Sequence, residues 1–421
     1  MININKYCLS VLIMKTIIKK IAAVISAAAI MITCFSGCNK DTVKLDPKNP
    51  ITITVWHYYN GLLKNAFDSM ITEFNESVGR EKGIIVEGYS HGDVSQLEAA
   101  VMSSANREVG SDDIPNIFAS YADTAYLVEK MGLLADLDNY FSADEQKEYI
   151  TSYIDEGRIG SNNELKIFPI AKSTEIFMLN ETDWAPFAAD TGVTYDDLKT
   201  KESLALVAEK YYNWTDAMTP DIIEDGKAFY GRDAMANLFI IASKQFGVEL
   251  FEVTNQTVKV NVDKTVMRKI WDTYYVPYIN GYFSSYGRFR ADDVKVGNII
   301  SLTGSTSSAS YFPSEVTIDG EVHSISGTIL AESVFEGGER VAVQQGAGMV
   351  VTKTTKEAEY ASVVFLKWFT DVETNTEFSA ISGYLPVKST ANELDKYNNI
   401  IKEKGIDMNK TTLDTISIAF D

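Results

Sequence analysis

Apolar and polar positions alternate with period two from Ile51 to Trp56 and switch to helical spacing from Leu62 to Phe74. The exchange then repeats. Gly83 to Glu87 reads as a second strand, Val94 to Ser104 as a helix, Asn116 to Ser120 as a third strand and Thr124 to Met131 as a further helix. Strands alternating with helices predict a mainly parallel α/β sheet covered on both faces, with ligands held beyond the carboxyl ends of its strands. Those ends carry Trp56-His57-Tyr58-Tyr59, Tyr89-Ser90-His91 and Tyr121-Ala122-Asp123, each joining an aromatic ring to a polar group. This mixture suits a ligand with apolar faces and many hydroxyls.

The pattern breaks at Lys166 to Asn180. Pro169 lacks a ladder donor and biases the residue before it toward extended geometry, so the two apolar runs beside it read as two strands meeting. A chain that leaves one sheet there and enters another places Lys172, Ser173 and Thr174 at a seam between lobes, where small ligands are commonly held. Beyond the seam, helices are predicted over Tyr195 to Trp214, from Gly231 to Gly247 with Arg232 at its start, and over Thr265 to Tyr278. A strand over Val258 to Val262 precedes the last of these. A further strand, starting near Val296, ends at Gly304 in the hydroxyl run Ser305-Thr306-Ser307-Ser308, which offers short donors and free backbone N–H groups. Thr328 to Glu332 is the next predicted strand, Val341 to Val351 crosses back, and Ala358 to Phe369 is a helix.

With 421 residues and 45% hydrophobic content, the chain is long enough for two lobes and apolar enough to bury a core in each. A formal charge of −20 argues against a nucleic-acid partner, which requires a clustered basic surface. The N-terminus has its own chemistry: Lys15, Lys19 and Lys20 precede an apolar run from Ile21 to Thr33 and the small residues before Cys38, the order of a secretory signal. Met14 is the expected start of that signal. Cys8, Cys34 and Cys38 are the only cysteines, so cleavage before Cys38 leaves nothing to pair and the fold is expected to hold no disulfide. The segment resembles the lipobox of bacterial lipoproteins, which implies lipidation of Cys38. Residues 1–37 are then a signal peptide and 38–50, with two prolines, a solvated tether.

Gly88-Tyr-Ser-His-Gly92 fits the G-x-S-x-G motif of α/β serine hydrolases and lies between a strand and a helix, which makes Ser90 a candidate nucleophile completed by an aspartate and His323. No Gly-rich oxyanion loop precedes it. With three histidines, no H-E-x-x-H and no Walker loop, neither metal nor nucleotide chemistry is expected, and no cofactor is implied.

The ordered set of the Cys38 segment, Val55-Trp-His57, Ile114-Pro-Asn-Ile-Phe118, Pro169 to Asn180, Gly304-Ser-Thr-Ser, Gly346-Ala-Gly-Met349, Phe365-Leu-Lys-Trp-Phe369 and Ser382-Gly-Tyr-Leu-Pro386 resembles the family 1 extracellular solute-binding proteins. The resemblance implies a two-lobed periplasmic-binding-protein-like class II fold with three interlobe crossovers, near Ala171 to Thr174, Glu332 to Arg340 and Asp371 to Thr376. Lobe 1 would comprise 51–171 plus 341–372 and lobe 2 would comprise 172–332 plus 376–421. It further implies a monomeric, lipid-anchored receptor without turnover that hands a carbohydrate or polyol to the permease subunits of an ABC importer. Carried over by position, the ligand contacts are Tyr58, Tyr121, Asp123, Ser173, Arg232, Ser305, Thr306, Gly346 and Tyr384. Several segments resemble the glycerol-3-phosphate branch, but Ala122 stands where that branch has Glu and Val94 near its Tyr, so a neutral or mildly anionic sugar is the expected ligand.

Overall fold

The computed structural model describes residues 43–254, 257–408 and 410–420. The signal, Cys38 and the first residues of the tether, up to 42, lie outside these residues. From Leu45 onward the chain forms one unit built on two sheets. The first has the order β2 (Ile84–Ser90), β1 (Ile51–His57), β3 (Ile117–Ser120), β13 (Gly348–Val351), β4 (Ile167–Phe168). Strands β1, β2 and β3 are parallel, as the alternation with helices predicts. The exception is β13, which runs antiparallel between β3 and β4. Every residue of β3 and β13 is buried, because helices cover both faces.

The second sheet has the order β12 (Gly327–Leu330), β5 (Glu175–Asn180), β9 (Ser301–Ser305), β6 (Tyr230–Arg232). Its central strand β5 is buried along its whole length and pairs antiparallel with both neighbours, whereas β6 is parallel to β9. Two hairpins complete the strands, β7 (Phe251–Thr254) with β8 (Thr257–Val260) and β10 (Glu315–Ile318) with β11 (Glu321–Ser324).

Pro169 divides β4 from β5 as the sequence predicts, and the two strands belong to different sheets. This is the first crossing. The second runs from Leu330 to Gly348 and brings the chain back to insert β13 into the first sheet. The third differs from the expectation. The helix Val372–Ser382 stays on the first lobe, where Phe378 is buried against Phe67, Phe369 and Tyr59. The helix Leu394–Lys404 packs on it, and only Lys410–Phe420 reaches β12 and the Thr306–Tyr311 turn of the second lobe. The crossing therefore falls between Lys404 and Lys410, because residues near 371 form a tight turn between two helices that share one core. Assignment of 376–404 to lobe 2 is corrected on that ground.

Two further expectations change. Gly231 and Arg232 lie in β6 and the helix begins at Met235, since Arg232 is drawn into the sheet by buried acids. Lys199 and Thr200 interrupt the predicted helix from Tyr195: Thr200 caps a new helix, Lys201–Asp216, by accepting from Ser203 N.

His57, at the end of β1, is fully buried between Tyr59 and Phe67, and its Nδ1 accepts from the Tyr59 N–H at 3.2 Å. Burial holds the imidazole neutral and lowers its pKa from 6.5 to about 4, with the charges of Asp68 and Lys64 pulling in opposite directions. The unfolded chain takes up this proton below pH 6.5 and the fold refuses it until about 4. Stability therefore falls as pH drops through that window, by about 3 kcal/mol in total. Urea denaturation across this range should show a slope shallower by that amount in His57→Gln, and equal slopes in the two proteins would mean that His57 titrates normally.

Candidate functional site: the cleft between the lobes

The carboxyl ends of β1 and β3 face the second sheet, and here three of the carried-over residues meet. The hydroxyls of Tyr58, Tyr121 and Tyr384 lie against one another, with Ser307 beside Tyr384 and the Gly346 N–H beside Tyr121. Burial, with Tyr121 next to it, pushes Tyr384 up to about 12, and Tyr58 and Tyr121 are raised by the same cause. All three stay protonated at neutral pH. They can thus donate and accept without carrying charge.

Backbone geometry brings them together. Gly346 adopts φ +94°, and a Cβ there would stand 2.8 Å from the Ala171 carbonyl oxygen, so only glycine lets the second crossing touch the first. Ser173 and Gln345 exchange two backbone hydrogen bonds at 3.0 and 2.8 Å across the same contact. Buried Lys172 donates to the Gly346 carbonyl at 2.8 Å and pairs with Glu156 at 2.5 Å. Gly383, at φ +72°, ends its helix where a Cβ would sit 2.9 Å from the Thr306 carbonyl oxygen, and Tyr384 follows it into the cleft.

Beside Tyr58 lies a cavity of about 280 Å³, which Tyr121 and Tyr384 do not line. Tyr58, Asn60 and Leu63 wall it from the first lobe, and Phe289, Asp292, Ser307 and Tyr311 from the second. Its volume is at the lower end of small-molecule sites, about 300–1,000 Å³. At its rim Arg288 reaches Asp93 across the lobes at 3.4 Å. Lys295 is paired with Asp292 at 3.3 Å and Asp233 accepts from the Arg290 backbone N–H at 2.8 Å, so no unpaired cation lines the cavity. Another cavity of similar size is walled by β5, the second crossing and the C-terminal helix, with no strand of the first sheet contributing.

The other carried-over residues have different surroundings. Ser305 caps the turn by accepting from Ser307 N, and its hydroxyl lies 2.9 Å from that of Ser307. The Thr306 side chain is fully buried, with its hydroxyl unpaired among the described residues. Ser173 is buried in the crossing, and exposed Asp123 bonds the Thr124 N–H at the start of the helix Ala122–Lys130. None of these four lines the cavity.

Arg232 departs most from its expected role. It is 2% exposed and binds Glu175, Glu332 at 2.9 Å and the Ala234 carbonyl at 3.2 Å. Lys201 also pairs with Glu332, Thr303 donates to Glu332 at 2.6 Å and Asn237 to Glu175 at 2.9 Å. Burial raises the Glu175 pKa despite Arg232, whereas for Glu332 the charges of Lys201 and Arg232 outweigh burial and lower it. The guanidinium is thus consumed inside the second lobe. Sequence reading missed Asn60, Phe289, Asp292 and Tyr311. Of these only Tyr311 had a nearby signal, the hydroxyl run that precedes it.

Ser90 is not placed as a hydrolase nucleophile. It sits on the edge strand β2, its hydroxyl donates to the Tyr59 carbonyl at 2.7 Å, and His323 lies on β11 of the other lobe. Among the described residues no cluster of metal-binding side chains occurs, and no helix is long and apolar enough to cross a membrane.

Residues 69–403 match the family model of the bacterial extracellular solute-binding proteins, and the chain belongs to that family. Solved structures share its fold. The cyclic alpha-maltosyl-1,6-maltose binding protein of Arthrobacter globiformis aligns with TM-score 0.66 and 18% identity over 89% of this chain and 88% of its own. UgpB of Mycobacterium tuberculosis, solved with glycerophosphocholine, aligns with TM-score 0.63 and 16% identity over 84% of each chain. The maltose/maltodextrin-binding domain MalE of Bdellovibrio bacteriovorus, bound to maltotriose, gives TM-score 0.61 and 15% identity over 88% of each. No curated protein sequence matches.

Arg232→Met leaves two buried carboxylates short of a partner and should destabilise the empty protein by about 3–5 kcal/mol in urea denaturation. A variant of unchanged stability that has lost ligand affinity would return Arg232 to the ligand site.

Proposed function

We propose that the protein is the solute receptor of an ABC importer, that it captures a neutral carbohydrate or related polyol between its lobes, and that it turns over no substrate. The observation that carries this reading is a cavity with walls from both lobes, lined by Tyr58 of the uncharged tyrosine cluster and by Ser307, which lies beside Tyr384. Sugar hydroxyls would exchange hydrogen bonds with Tyr58, Ser307 and the free oxygen of Asp233, while the half-exposed ring of Tyr311 packs on a sugar face. A ligand that touches both lobes favours their closed arrangement by the difference in its affinity for the two states. The absence of an unpaired cation along the cavity wall favours a neutral ligand over a phosphate ester, even though a structural neighbour binds glycerophosphocholine. Energy for transport would enter at a separate ATPase.

Calorimetry against mono- and oligosaccharides, glycerol 3-phosphate and glycerophosphocholine tests the ligand class. A neutral saccharide should bind, and Tyr311→Ala should weaken it about tenfold while leaving the melting temperature of the empty protein unchanged. Binding of the phosphate esters alone would refute the neutral-ligand reading.

Membrane attachment is proposed on sequence grounds, through a lipid on Cys38. Two acyl chains hold a protein stably where one holds it marginally, at about 0.8 kcal/mol per buried CH₂. Cys38→Ser should therefore release the protein into the medium, and a processed variant that stays with the membrane would rule out this anchor.

A further inference from the structure

A larger cavity, of about 620 Å³, lies wholly on the second lobe between the helix Met235–Gln245 and the helical run from Lys264 to Ile279. It meets the interlobe cleft at its lip. Asp233 lines both spaces, and the consecutive residues Arg288 and Phe289 face one each. Its floor and sides are rings: Phe239, Trp271, Tyr275 and Tyr278, with Trp271 49% and Tyr275 43% exposed. The Trp271 and Tyr275 rings lie 4.0 Å apart at 35° and form one continuous apolar platform. Open aromatic surface of this extent is costly to leave in water and marks binding surfaces on soluble proteins.

The backbone beneath this platform is irregular. From Trp271 to Tyr275 the helix widens into a π turn, in which the Val276 N–H reaches back to the Trp271 carbonyl. Pro277 accounts for the widening: it has no N–H to offer, and its ring crowds the preceding turn. Wide turns of this kind recur at functional sites because they shift which side chains share a face. Here the shift coincides with the two rings of the platform. Polar groups stand around the edge, among them the Asp233 carboxylate, the Arg288 guanidinium and the tyrosine hydroxyls. Flat rings bordered by donors and acceptors match a pyranose, whose C–H face packs on an aromatic while its hydroxyls bond outward.

We propose that this groove is a second binding subsite, confined to the second lobe, which holds the distal rings of an oligosaccharide whose leading rings occupy the cleft. The inference rests on the carbohydrate reading of that cleft and extends it to ligands longer than the cleft alone encloses. Arg288 then has two tasks at the junction, since it faces the groove and also pairs with Asp93 of the opposite lobe.

The test uses the full extracytoplasmic chain with gluco- and xylo-oligosaccharide ladders from disaccharide to hexasaccharide, read by calorimetry and by tryptophan fluorescence. In the series that binds, the hexasaccharide should bind about tenfold more tightly than the disaccharide. Trp271→Ala should abolish that gain and leave disaccharide affinity unaltered; Tyr275→Ala provides a second variant should the first fold poorly. If the disaccharide binds but affinity does not rise with length, or if the rise survives both substitutions, the groove proposal fails and the cleft reading stands. If neither ladder binds, both fail. Self-association that Trp271→Ala removes, with no effect of ligand length, would assign the groove to a second copy of the chain and overturn the proposal.

Discussion

Two acids and two bases buried in the second lobe fix the frame on which the cleft is hung. Glu175 starts β5 immediately after the first crossing, Arg232 ends β6, Glu332 lies at the beginning of the second crossing and Lys201 opens a helix. Their charges balance, and Thr303 and Asn237 occupy remaining acceptor sites, as buried ions require. The backbone tightens the same junction: Lys201 N bonds the Val334 carbonyl at 2.8 Å and the Ser333 hydroxyl bonds the Leu198 carbonyl at 2.8 Å. Crossing segments held this way act as fixed ends, so relative motion of the lobes has to be absorbed by the few residues between them.

From that frame the site follows. The first crossing carries Lys172 and Ser173 to the second, Gly346 allows the two backbones to touch, and the contact sets the depth at which Tyr121 and Tyr384 stop. The tyrosines work as neutral groups because burial denies them ionisation, and His57 is held neutral beneath them for the same reason. Chemistry at the cleft is therefore dipolar in its first lobe, with carboxylates entering from the second.

Much of the fold could be read from the sequence because period and punctuation agree there. Ile51 to Trp56 alternates, Leu62 to Phe74 has a helical stripe, and Pro169 separates two strands of different sheets. The third crossing could not be read, since Val372–Ser382 has no apolar stripe and is buried largely through Thr, Asn and Ser, while Leu394–Lys404 is an ordinary amphipathic helix; their lobe is decided by where Phe378 and Tyr397 find packing. Within the site, Tyr58 and Tyr121 were legible as aromatics at strand ends, whereas Gly346 and Tyr384 came only through the family resemblance. Arg232 misled, because an arginine read at a helix start looks the same in sequence whether it meets a ligand or two buried acids. Phe289 and Asp292 gave no signal, being brought to the cleft by tertiary folding alone.

The Asp93–Arg288 pair at the rim is a contact between the lobes that is sensitive to the surrounding medium in a way the tyrosine cluster is not. Both side chains meet solvent, so their attraction is felt over a Debye length of about 30 Å at 0.01 M salt and about 3 Å at 1 M. A pair this exposed contributes at most about 1 kcal/mol even at low salt. Whatever hold it gives one lobe on the other is therefore spent by the ions of the medium, while the buried contacts of the crossings are not.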